Sequence, residues 1–372
     1  MQKLQKLFLF GLITFLLNHS YVNSNENSSI DLYTENLFVA ISGIPWGMDW
    51  LPNGDMLITI RSGELLIVKQ GSNLTKEISG LPELVTGGQG GLLDVVVHPD
   101  YENNGWIYFA YAKTGEKGNK STAIMRAKYN NHKLTDQEDI YIAQTYGKRG
   151  VHFGGRLTFD NNGYLYFSIG DRGKRDLNPQ NINRDAGKVY RIHDDGRIPE
   201  DNPFASNPLS KKAIYTYGHR NPQGMAKHPI TGDIWTHEHG PRGGDEVNIL
   251  AKGNNYGWPI ISFGINYSGT RFTDLTEKEG LEQPIWYWDP SIAPSGMTFV
   301  TSEKYPHWQG NLLVGSLKFG YIVMLSLDNN KIIKEDIIIK GLKRVRNIKQ
   351  GPDGYIYVAA DGQGIYRLKP NN

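Results

Sequence analysis

The sequence predicts an all-β protein, more specifically a six-bladed β-propeller of four-stranded antiparallel blades with long inter-strand loops. Three observations support this prediction. No long stretch of the 372 residues shows sustained 3.6-residue apolar periodicity, which argues against long amphipathic helices. Short runs rich in β-forming residues recur instead, bounded by Asp-Gly, Asn-Gly or similar turns. One pattern recurs six times at spacings of 44 to 72 residues, as in propellers and other repeat arrays.

Each repeat starts with a small residue and an apolar residue, continues to a polar-Gly turn and ends in a β-rich run. The lead residues are Gly47, Gly91, Gly155, Gly224, Gly296 and Asn347. The runs cover residues 56–60, 106–110, 164–168, 233–236, 311–314 and 355–358. About 58 residues are available per repeat and a bare blade needs ~40–45, so long loops are expected, mainly between the second and fifth blades. A pair of β-sandwiches is the alternative, and the repeat counts against it.

The first 24 residues are interpreted as a signal peptide, and residues 25–372 as a single propeller domain. Lys3 and Lys6 precede an apolar run over residues 7–17, which suits a secretory signal and is too short to cross a bilayer. An uncleaved anchor is the alternative. No later stretch approaches the ~18 apolar residues of a membrane span, so no transmembrane segment is expected after signal removal. An exported chain without cysteine suits a bacterial periplasm.

The composition excludes several classes of function. Because the chain has no cysteine, a disulfide framework, an iron–sulfur cluster, a thiolate zinc site and a cysteine nucleophile are excluded. The formal charge of +2 comes from the signal-like segment, and the remaining sequence is neutral overall, which argues against a nucleic-acid partner. The sequence has no Gly-x-Ser-x-Gly motif for a serine nucleophile. It also lacks the Walker and Rossmann motifs, so nicotinamide and ATP chemistry are not expected. No self-paired surface is evident, so a monomer is expected.

Residues 152–259 carry the densest set of glycine-rich polar motifs, which is typical of a binding site on a rigid scaffold. His152 lies before a Gly-Gly step that opens a β-rich run, where a neutral imidazole could act as a general base. A histidine that only satisfies a turn is the alternative. Asp171 stands in a Gly-Asp-x-Gly turn after another run. It could orient His152 or bind a substrate hydroxyl, although such turns are also common without function.

Two further groups indicate ligand binding. Arg344 and Arg346 alternate along a β-rich run and Lys318 follows another, so three cations could bind an acidic ligand. Solvated surface charge is the alternative. The backbone carbonyls of residues 240–241, followed by the acids at 245–246, could bind calcium, which prefers hard oxygen ligands.

A transition metal is a competing hypothesis for the same region. His237 and His239 alternate and would point to the same side of a strand. His219 or His228 could then serve as a third ligand, although no carboxylate stands at helical spacing beside the pair.

Several motifs, taken in order, resemble the soluble quinoprotein family of glucose/sorbosone dehydrogenases, and within it the bacterial aldose sugar dehydrogenases. The resemblance covers about residues 36–368. It rests on Gly218-His-Arg-Asn-Pro-Gln-Gly224, Glu238-His-Gly-Pro with Asp-Glu246, Asn255-Tyr-Gly-Trp-Pro259, Ile292-Ala-Pro-Ser295, Ser316-Leu-Lys318 and Arg344-Val-Arg346.

The resemblance implies a six-bladed propeller that holds pyrroloquinoline quinone and calcium. By correspondence of motifs, His152 resembles the general base that takes the proton from the anomeric hydroxyl of the sugar. Asp171 resembles the carboxylate that orients this base and contacts substrate, and Gln89 resembles a second substrate contact. Arg220 and Asn221 match the residues that hold the reactive carbonyl of the quinone, where Arg220 would stabilise developing negative charge.

The same resemblance assigns the groups that surround the acidic cofactor. Lys318, Arg344 and Arg346 match the cations that bind the carboxylates of the quinone. His239 lies at a cofactor-contact position where the glucose-specific members carry Gln. A tricarboxylate cofactor suits a site with three cations.

Two calcium sites follow from the resemblance as well. The backbone carbonyls of Gly240 and Pro241 match ligands of the calcium that polarises the quinone. Glu246 and the backbone carbonyl of Tyr256 match part of a second, structural calcium site. Asn266 stands where the family places an aspartate ligand of that second site.

These expectations together predict an oxidoreductase that oxidises aldose sugars at the anomeric carbon to lactones and passes the hydride to the quinone. The preferred aldose and the electron acceptor are not predicted. One alternative is a calcium-dependent sugar lactonase with Asp171 and Glu246 as metal ligands. Another is a propeller that binds a partner without chemistry, since propellers are common interaction scaffolds.

Overall fold

The computed structural model describes residues 33–115, 118–144 and 148–371. Within this part of the chain, six four-stranded antiparallel sheets and one short helix are present. The predicted all-β, six-bladed propeller with four-stranded blades is therefore confirmed. The predicted signal peptide lies outside the described residues and stays a prediction. No helix in the described part is long and apolar enough to span a bilayer.

The strands and the helix follow one another along the chain with the bounds given next. They are β1 (Tyr33–Ala40), β2 (Pro45–Trp50), β3 (Met56–Ile60), β4 (Glu64–Val68), β5 (Thr75–Glu77), β6 (Leu92–Val97), α1 (Tyr101–Asn104), β7 (Trp106–Thr114), β8 (Lys120–Asn130), β9 (Lys133–Ile142), β10 (Leu157–Phe159), β11 (Leu165–Ile169), β12 (Lys188–Ile192), β13 (Ile214–Tyr217), β14 (Pro222–Lys227), β15 (Ile234–Glu238), β16 (Asp245–Ile249), β17 (Trp286–Trp288), β18 (Pro294–Phe299), β19 (Leu312–Ser316), β20 (Ile322–Asp328), β21 (Lys331–Ile339), β22 (Val345–Gln350), β23 (Ile356–Ala360) and β24 (Gly364–Pro370).

Five blades are built from four consecutive strands, and the sixth is closed by β1, the first strand of the described residues. Blades 1 to 5 are β2–β5, β6–β9, β10–β13, β14–β17 and β18–β21. Blade 6 contains β22, β23 and β24, and β1 completes it by pairing antiparallel to β24, from Tyr33 opposite Pro370 to Ala40 opposite Gly364. This pairing joins the two ends of the described chain and closes the ring.

The predicted repeat corresponds to the first two strands of each blade. The lead residues stand on the innermost strands β2, β6, β10, β14, β18 and β22 or at most two residues before them, and the runs form the second strands. The innermost strands contact one another around a central channel. A side chain on the lead residue would not fit there: a Cβ on Gly47 would lie 2.6 Å from Asp94 Oδ1 and 2.8 Å from the backbone nitrogen of Val95.

Antiparallel pairing determines which end of the propeller carries the candidate site. Each innermost strand begins at the end where the second strand of the same blade finishes. We call this the site end. Most of the polar motifs precede innermost strands or follow second strands, so they gather there, and the motif at 255–259 comes from the long connection after β16.

Apolar and aromatic side chains fill the space between neighbouring blades. Between blades 2 and 3, Phe167 stacks on Tyr190 with ring centroids 4.8 Å apart, and Phe153 and Tyr108 join the same buried cluster. Phe153 is the neighbour of His152, so burial of its ring anchors the turn that carries the predicted base. The long connections expected between blades 2 and 5 are present, the longest at 250–285 between β16 and β17.

Candidate active site

A cleft of about 490 Å³ opens at the site end and brings several predicted residues together. His152, Asp171, Arg220 and Pro241 line it, as do residues of the insertions after β11 and β16. A larger groove of about 1090 Å³ lies at the opposite end between blades 1 and 6. Its lining contains no histidine, so we place the chemistry in the smaller cleft.

The predicted base and its predicted orienting carboxylate are in direct contact. His152 Nδ1 lies 2.6 Å from Asp171 Oδ1. Because an ionised carboxylate can only accept, Nδ1 carries the proton and Nε2 keeps a lone pair. The His152 side chain is 15% exposed and that of Asp171 is 2% exposed, so only the histidine is open to the cleft.

The turn that carries His152 has an unusual backbone. His152 adopts φ of 52°, a left-handed conformation that costs a non-glycine residue about 1–2 kcal/mol. The backbone N–H of His152 donates to Gln89 Oε1 at 2.7 Å, which holds the turn against the loop before β6. Gln89 therefore lies beside the predicted base.

The protonation states suit proton transfer near neutral pH. Burial lowers the pKa of His152 and so do the charges of Arg220 and Arg172, whereas the hydrogen bond that His152 donates to Asp171 opposes this effect. Burial alone would raise the pKa of Asp171, but the hydrogen bond and charge of His152 and the charge of Arg220 hold it below its usual range. A neutral imidazole beside an ionised carboxylate results.

Trp258 completes this pair from the other wall of the cleft. Its Nε1–H donates to Asp171 Oδ2 at 3.0 Å, while Oδ1 also accepts from the backbone N–H of Gly173 at 2.7 Å. Both carboxylate oxygens are thus fixed, and through them the imidazole ring. The Arg220 guanidinium lies 5.5 Å from the Trp258 ring centroid.

Arg220 and Asn221 stand where the loop before β14 enters blade 4. Arg220 Nη1 donates to the carbonyl of His239 at 2.9 Å, and the Arg220 backbone N–H donates to Glu238. Asn221 Oδ1 accepts from the backbone N–H of Gly154 at 3.1 Å, and Asn221 Nδ2 is buried with no partner among the described residues. An orphaned donor beside Arg220 fits a ligand carbonyl bound at this position.

His239 is held neutral. Its Nε2 donates to the carbonyl of Pro294 at 2.7 Å, and burial lowers its pKa to about 3. The predicted cofactor contact is therefore an uncharged imidazole at the boundary of blades 4 and 5.

The three predicted cations lie along blades 5 and 6, and two of them share a carboxylate. Arg346 donates to both oxygens of Asp361, at 2.9 and 3.2 Å, and Arg344 Nε donates to Asp361 Oδ2 at 3.2 Å. Arg344 Nη1 also bonds to the carbonyl of Leu317, directly before Lys318. Three cations against one carboxylate leave excess positive charge, which fits an acidic ligand such as the predicted cofactor.

The turn after β15 provides oxygen donors of the kind that calcium prefers. A Cβ on Gly240 would lie 2.1 and 2.2 Å from the carbonyl oxygens of Gly243 and Gly244, so backbone carbonyls crowd this turn. Asp245 holds the turn in place because its Oδ1 accepts from the Gly240 N–H at 2.8 Å. Pro241 O accepts from the backbone N–H of Ile265 at 3.2 Å. The donor chemistry fits the predicted calcium.

The predicted second calcium site contains two adjacent carboxylates. Glu246 faces Glu238 across β16 and β15. Burial raises the pKa of Glu246, and the nearby charge of Glu238 adds to the effect. Glu238 is also bound by His219 Nδ1 at 2.8 Å, and the His219 ring stacks on Tyr256 at 4.6 Å. A cation would relieve the repulsion between the two carboxylates, so this pair fits calcium.

The transition-metal hypothesis is wrong for the described residues. No three His, Asp or Glu side chains there are grouped so as to hold a metal. His237 is fully buried inside β15, and His219 is committed to Glu238 and Thr216. The same finding counts against the lactonase alternative, because Asp171 and Glu246 belong to separate clusters.

Sequence reasoning assigned no role to four residues of the site: Trp258, Glu238, Asp361 and Arg61, the last of which feels the charges of Arg346 and Asp361. Trp258 and Glu238 lie within the quoted motifs. Arg61 and Asp361 directly follow the second strands of blades 1 and 6, as His239 follows that of blade 4. Aligning the repeats at this position would have placed both of them at the site end.

Comparison with known proteins identifies the family. The glucose/sorbosone dehydrogenase family profile matches residues 42–367. The chain is 40% identical to the aldose sugar dehydrogenase YliI of Escherichia coli (strain K12), over 88% of this chain and 90% of that protein. It is 30% identical to quinoprotein glucose dehydrogenase B of Acinetobacter calcoaceticus, over 86% and 84%. The crystal structure of apo soluble aldose sugar dehydrogenase from Escherichia coli matches with a TM-score of 0.86 at 38% identity, over 91% and 100%. The chain therefore belongs to the glucose/sorbosone dehydrogenase family.

Proposed function

We propose that this protein is a dehydrogenase that depends on pyrroloquinoline quinone and calcium and oxidises aldose sugars at the anomeric carbon to lactones. The observation that carries the proposal is the His152–Asp171 pair at the mouth of the cleft, with Arg220 lining the same cleft. Membership of the family supports the same reaction class.

In this proposal, the chain's own residues manage the proton and the developing charge. His152 Nε2 takes the proton of the anomeric hydroxyl, and Asp171 stabilises the imidazolium that forms. Trp258 keeps Asp171 oriented through its indole N–H. Gln89 Nε2 donates to a hydroxyl of the sugar. The quinone, when bound, supplies the two-electron acceptor for the hydride of the anomeric carbon.

The cofactor would be held by groups at the site end. Arg220 and the unpartnered Nδ2 of Asn221 would bind its reactive carbonyl. Lys318, Arg344 and Arg346 would bind its carboxylates, since guanidinium groups bind carboxylates in a bidentate manner. The carbonyls of residues 240–241 would ligate the calcium, and Glu246 with the Tyr256 carbonyl would ligate the structural calcium.

The proposal is tested by reconstitution. Metal-stripped mature protein is mixed with the quinone and calcium, quinone binding is followed by absorbance, and dye reduction is recorded with a panel of aldoses. We expect turnover only when both additions are present. Turnover of a sugar lactone by hydrolysis without quinone would favour the lactonase alternative, and absence of quinone binding would favour a non-catalytic propeller.

A pair of histidine variants isolates the base. His152→Ala should retain quinone binding and lose about 10²–10⁴-fold in kcat, the usual contribution of general base catalysis. His307→Ala, an exposed histidine in blade 5, is the matched control and should leave kcat unchanged. Equal activity of the two variants would contradict the assignment of His152.

We further propose that the mature protein is a periplasmic monomer that begins after residue 24. The basic and apolar N-terminal segment supports export. N-terminal sequencing of protein from the periplasmic fraction, with sizing by light scattering, checks both points.

A further inference from the structure

Arg156 is a buried arginine that the proposed reaction does not use. It follows His152 by four residues, stands directly before β10 and is 3% exposed. Its guanidinium lies in the central channel, 4.1 Å from the ring centroid of Trp46. A buried guanidinium is costly unless its N–H groups are bonded, so its partners indicate why it is there.

The guanidinium binds four other blades. Nε donates to the carbonyl of Gln223 in blade 4 at 2.6 Å, and Nη2 donates to the carbonyl of Arg346 in blade 6 at 3.0 Å. Nη1 donates to the carbonyl of Trp46 in blade 1 at 3.3 Å and to Asp94 Oδ1 in blade 2 at 3.1 Å. Arginine suits this task because its donors form a rigid fork.

The three carbonyls share a structural origin. Trp46, Gln223 and Arg346 are each the extra residue of a β-bulge, where the innermost strand has two residues opposite one on the second strand. A bulge leaves its extra residue outside the hydrogen-bond ladder, so its buried carbonyl needs another donor. Arg156 supplies that donor for three blades at once. Blade 5 joins through Ser295 Oγ, which donates to the Arg346 carbonyl at 2.8 Å.

Three of the blades that Arg156 joins, blades 3, 4 and 6, carry part of the proposed site. The turn before Arg156 holds His152, the segment before Gln223 holds Arg220, and Arg346 is itself one of the proposed cofactor-binding cations. On the other side of the guanidinium, towards the ends of the innermost strands, lies a cavity of about 210 Å³ lined by Asp94, Arg156 and the methionines of β2, β14 and β18.

We propose that Arg156 is a positioning residue that sets the relative placement of the general base, the carbonyl-binding Arg220 and the carboxylate-binding Arg346. This inference rests on the proposed function, because the roles of the general base, Arg220 and Arg346 are taken from it. Its structural content, that one side chain couples three segments of the site end, is independent of the cofactor.

The test uses Arg156→Lys, which keeps the positive charge beside Asp94 and removes the planar guanidinium group that binds several acceptors at once. The control is Leu134→Ala, which opens a cavity at a fully buried position in the outermost strand of blade 2. Backbone amide hydrogen exchange is measured on both apo proteins. We expect exchange at 153–155, 220–224 and 344–347 to rise together in Arg156→Lys, and exchange in blade 2 alone to rise in Leu134→Ala. Uniform acceleration in both variants would overturn the proposal.

Quinone binding provides the second readout. At temperatures well below unfolding, the quinone dissociation constant of Arg156→Lys should rise about tenfold or more, equivalent to about 1.4 kcal/mol, while that of Leu134→Ala stays at the wild-type value. If Arg156→Lys and wild type bind the quinone equally well, the positioning role of Arg156 is overturned and the proposed function is not. If wild type itself binds no quinone, the proposed function fails, and the exchange experiment still decides whether Arg156 couples the three segments.

A milder variant covers the case in which Arg156→Lys does not fold. Ser295→Ala removes only the second donor to the Arg346 carbonyl. We expect faster exchange at 344–347 and unchanged exchange at 153–155. No change at 344–347 would contradict the role of this carbonyl.

Discussion

Replacement of Asp171 by Asn probes the pair on which the proposed chemistry depends, because the side chain keeps its size and loses its charge. In the wild type, Oδ1 accepts from His152 Nδ1 and Gly173 N, and Oδ2 accepts from Trp258 Nε1. An amide has one accepting oxygen and one donating nitrogen. It must therefore turn its NH₂ either towards the indole or towards His152 and Gly173. With the NH₂ group towards the indole, one N–H donor faces another donor. With the NH₂ group towards His152 and Gly173, two N–H donors do so, and the first orientation is therefore favoured.

The magnitude follows from the contacts that are lost. In the favoured orientation, His152 keeps an acceptor, but the charge that stabilises the imidazolium is gone. Hydrogen bonds to charged groups contribute about 1.5–3 kcal/mol. At 1.36 kcal/mol per tenfold, kcat should fall about 10- to 150-fold. KM for the aldose should change less, and quinone affinity should be unchanged, because the quinone-binding groups are not altered.

The pH dependence of kcat/KM provides an independent test, because the direction of its shift is predicted as well. Burial lowers the pKa of His152, and Asp171 opposes that effect. Removing the charge lets the pKa fall further, so the acid limb of the kcat/KM profile should move to lower pH while the plateau falls. Dye reduction over pH 5–9 at saturating quinone and calcium measures both effects. A plateau within about threefold of wild type, or an acid limb at higher pH, would refute the reasoning. Asp328→Asn, an exposed aspartate in blade 5, is the matched control.

Three further predictions concern other parts of the molecule. In the wild type, kcat/KM should be flat above pH 6.5 and fall tenfold per pH unit below the lowered pKa of His152, as a pH–rate profile will show. Arg346→Ala should weaken quinone binding more than aldose binding, and equal losses in titrations would contradict its role. Tyr305→Phe removes the hydroxyl that donates to the Leu368 carbonyl and accepts from Ile356 N. It should lower the free energy of unfolding by about 1–3 kcal/mol in urea titrations.

The repeat made the architecture predictable, because a blade is specified by contiguous residues. A small lead residue, a tight turn and a β-rich run set two antiparallel strands wherever they occur, and six copies are typical of a propeller. Antiparallel alternation then sends the residues before innermost strands and after second strands to one end. The grouping of Gln89, His152, Arg220 and His239 at the site end follows from this rule.

The partners within the site were not predictable from local patterns. Trp258 donates to Asp171 from 87 positions away. Arg344 and Arg346 were interpreted as cations for a ligand, and Asp361, which both of them bind, had no role in that interpretation. Alternating histidines indicated a metal, but burial of His237 inside the sheet removed it from any common site.

The sequence by itself determined the six-bladed architecture and placed Gln89, His152, Arg220 and His239 at the edges of strands that meet at the site end. Only the tertiary structure decided how those residues are paired, and that one arginine binds the bulge carbonyls of three blades. The physical reason is that turn chemistry and strand periodicity are properties of neighbouring residues. Hydrogen bonds across the channel depend instead on where six blades meet, which is defined only once β1 pairs with β24 and the ring closes.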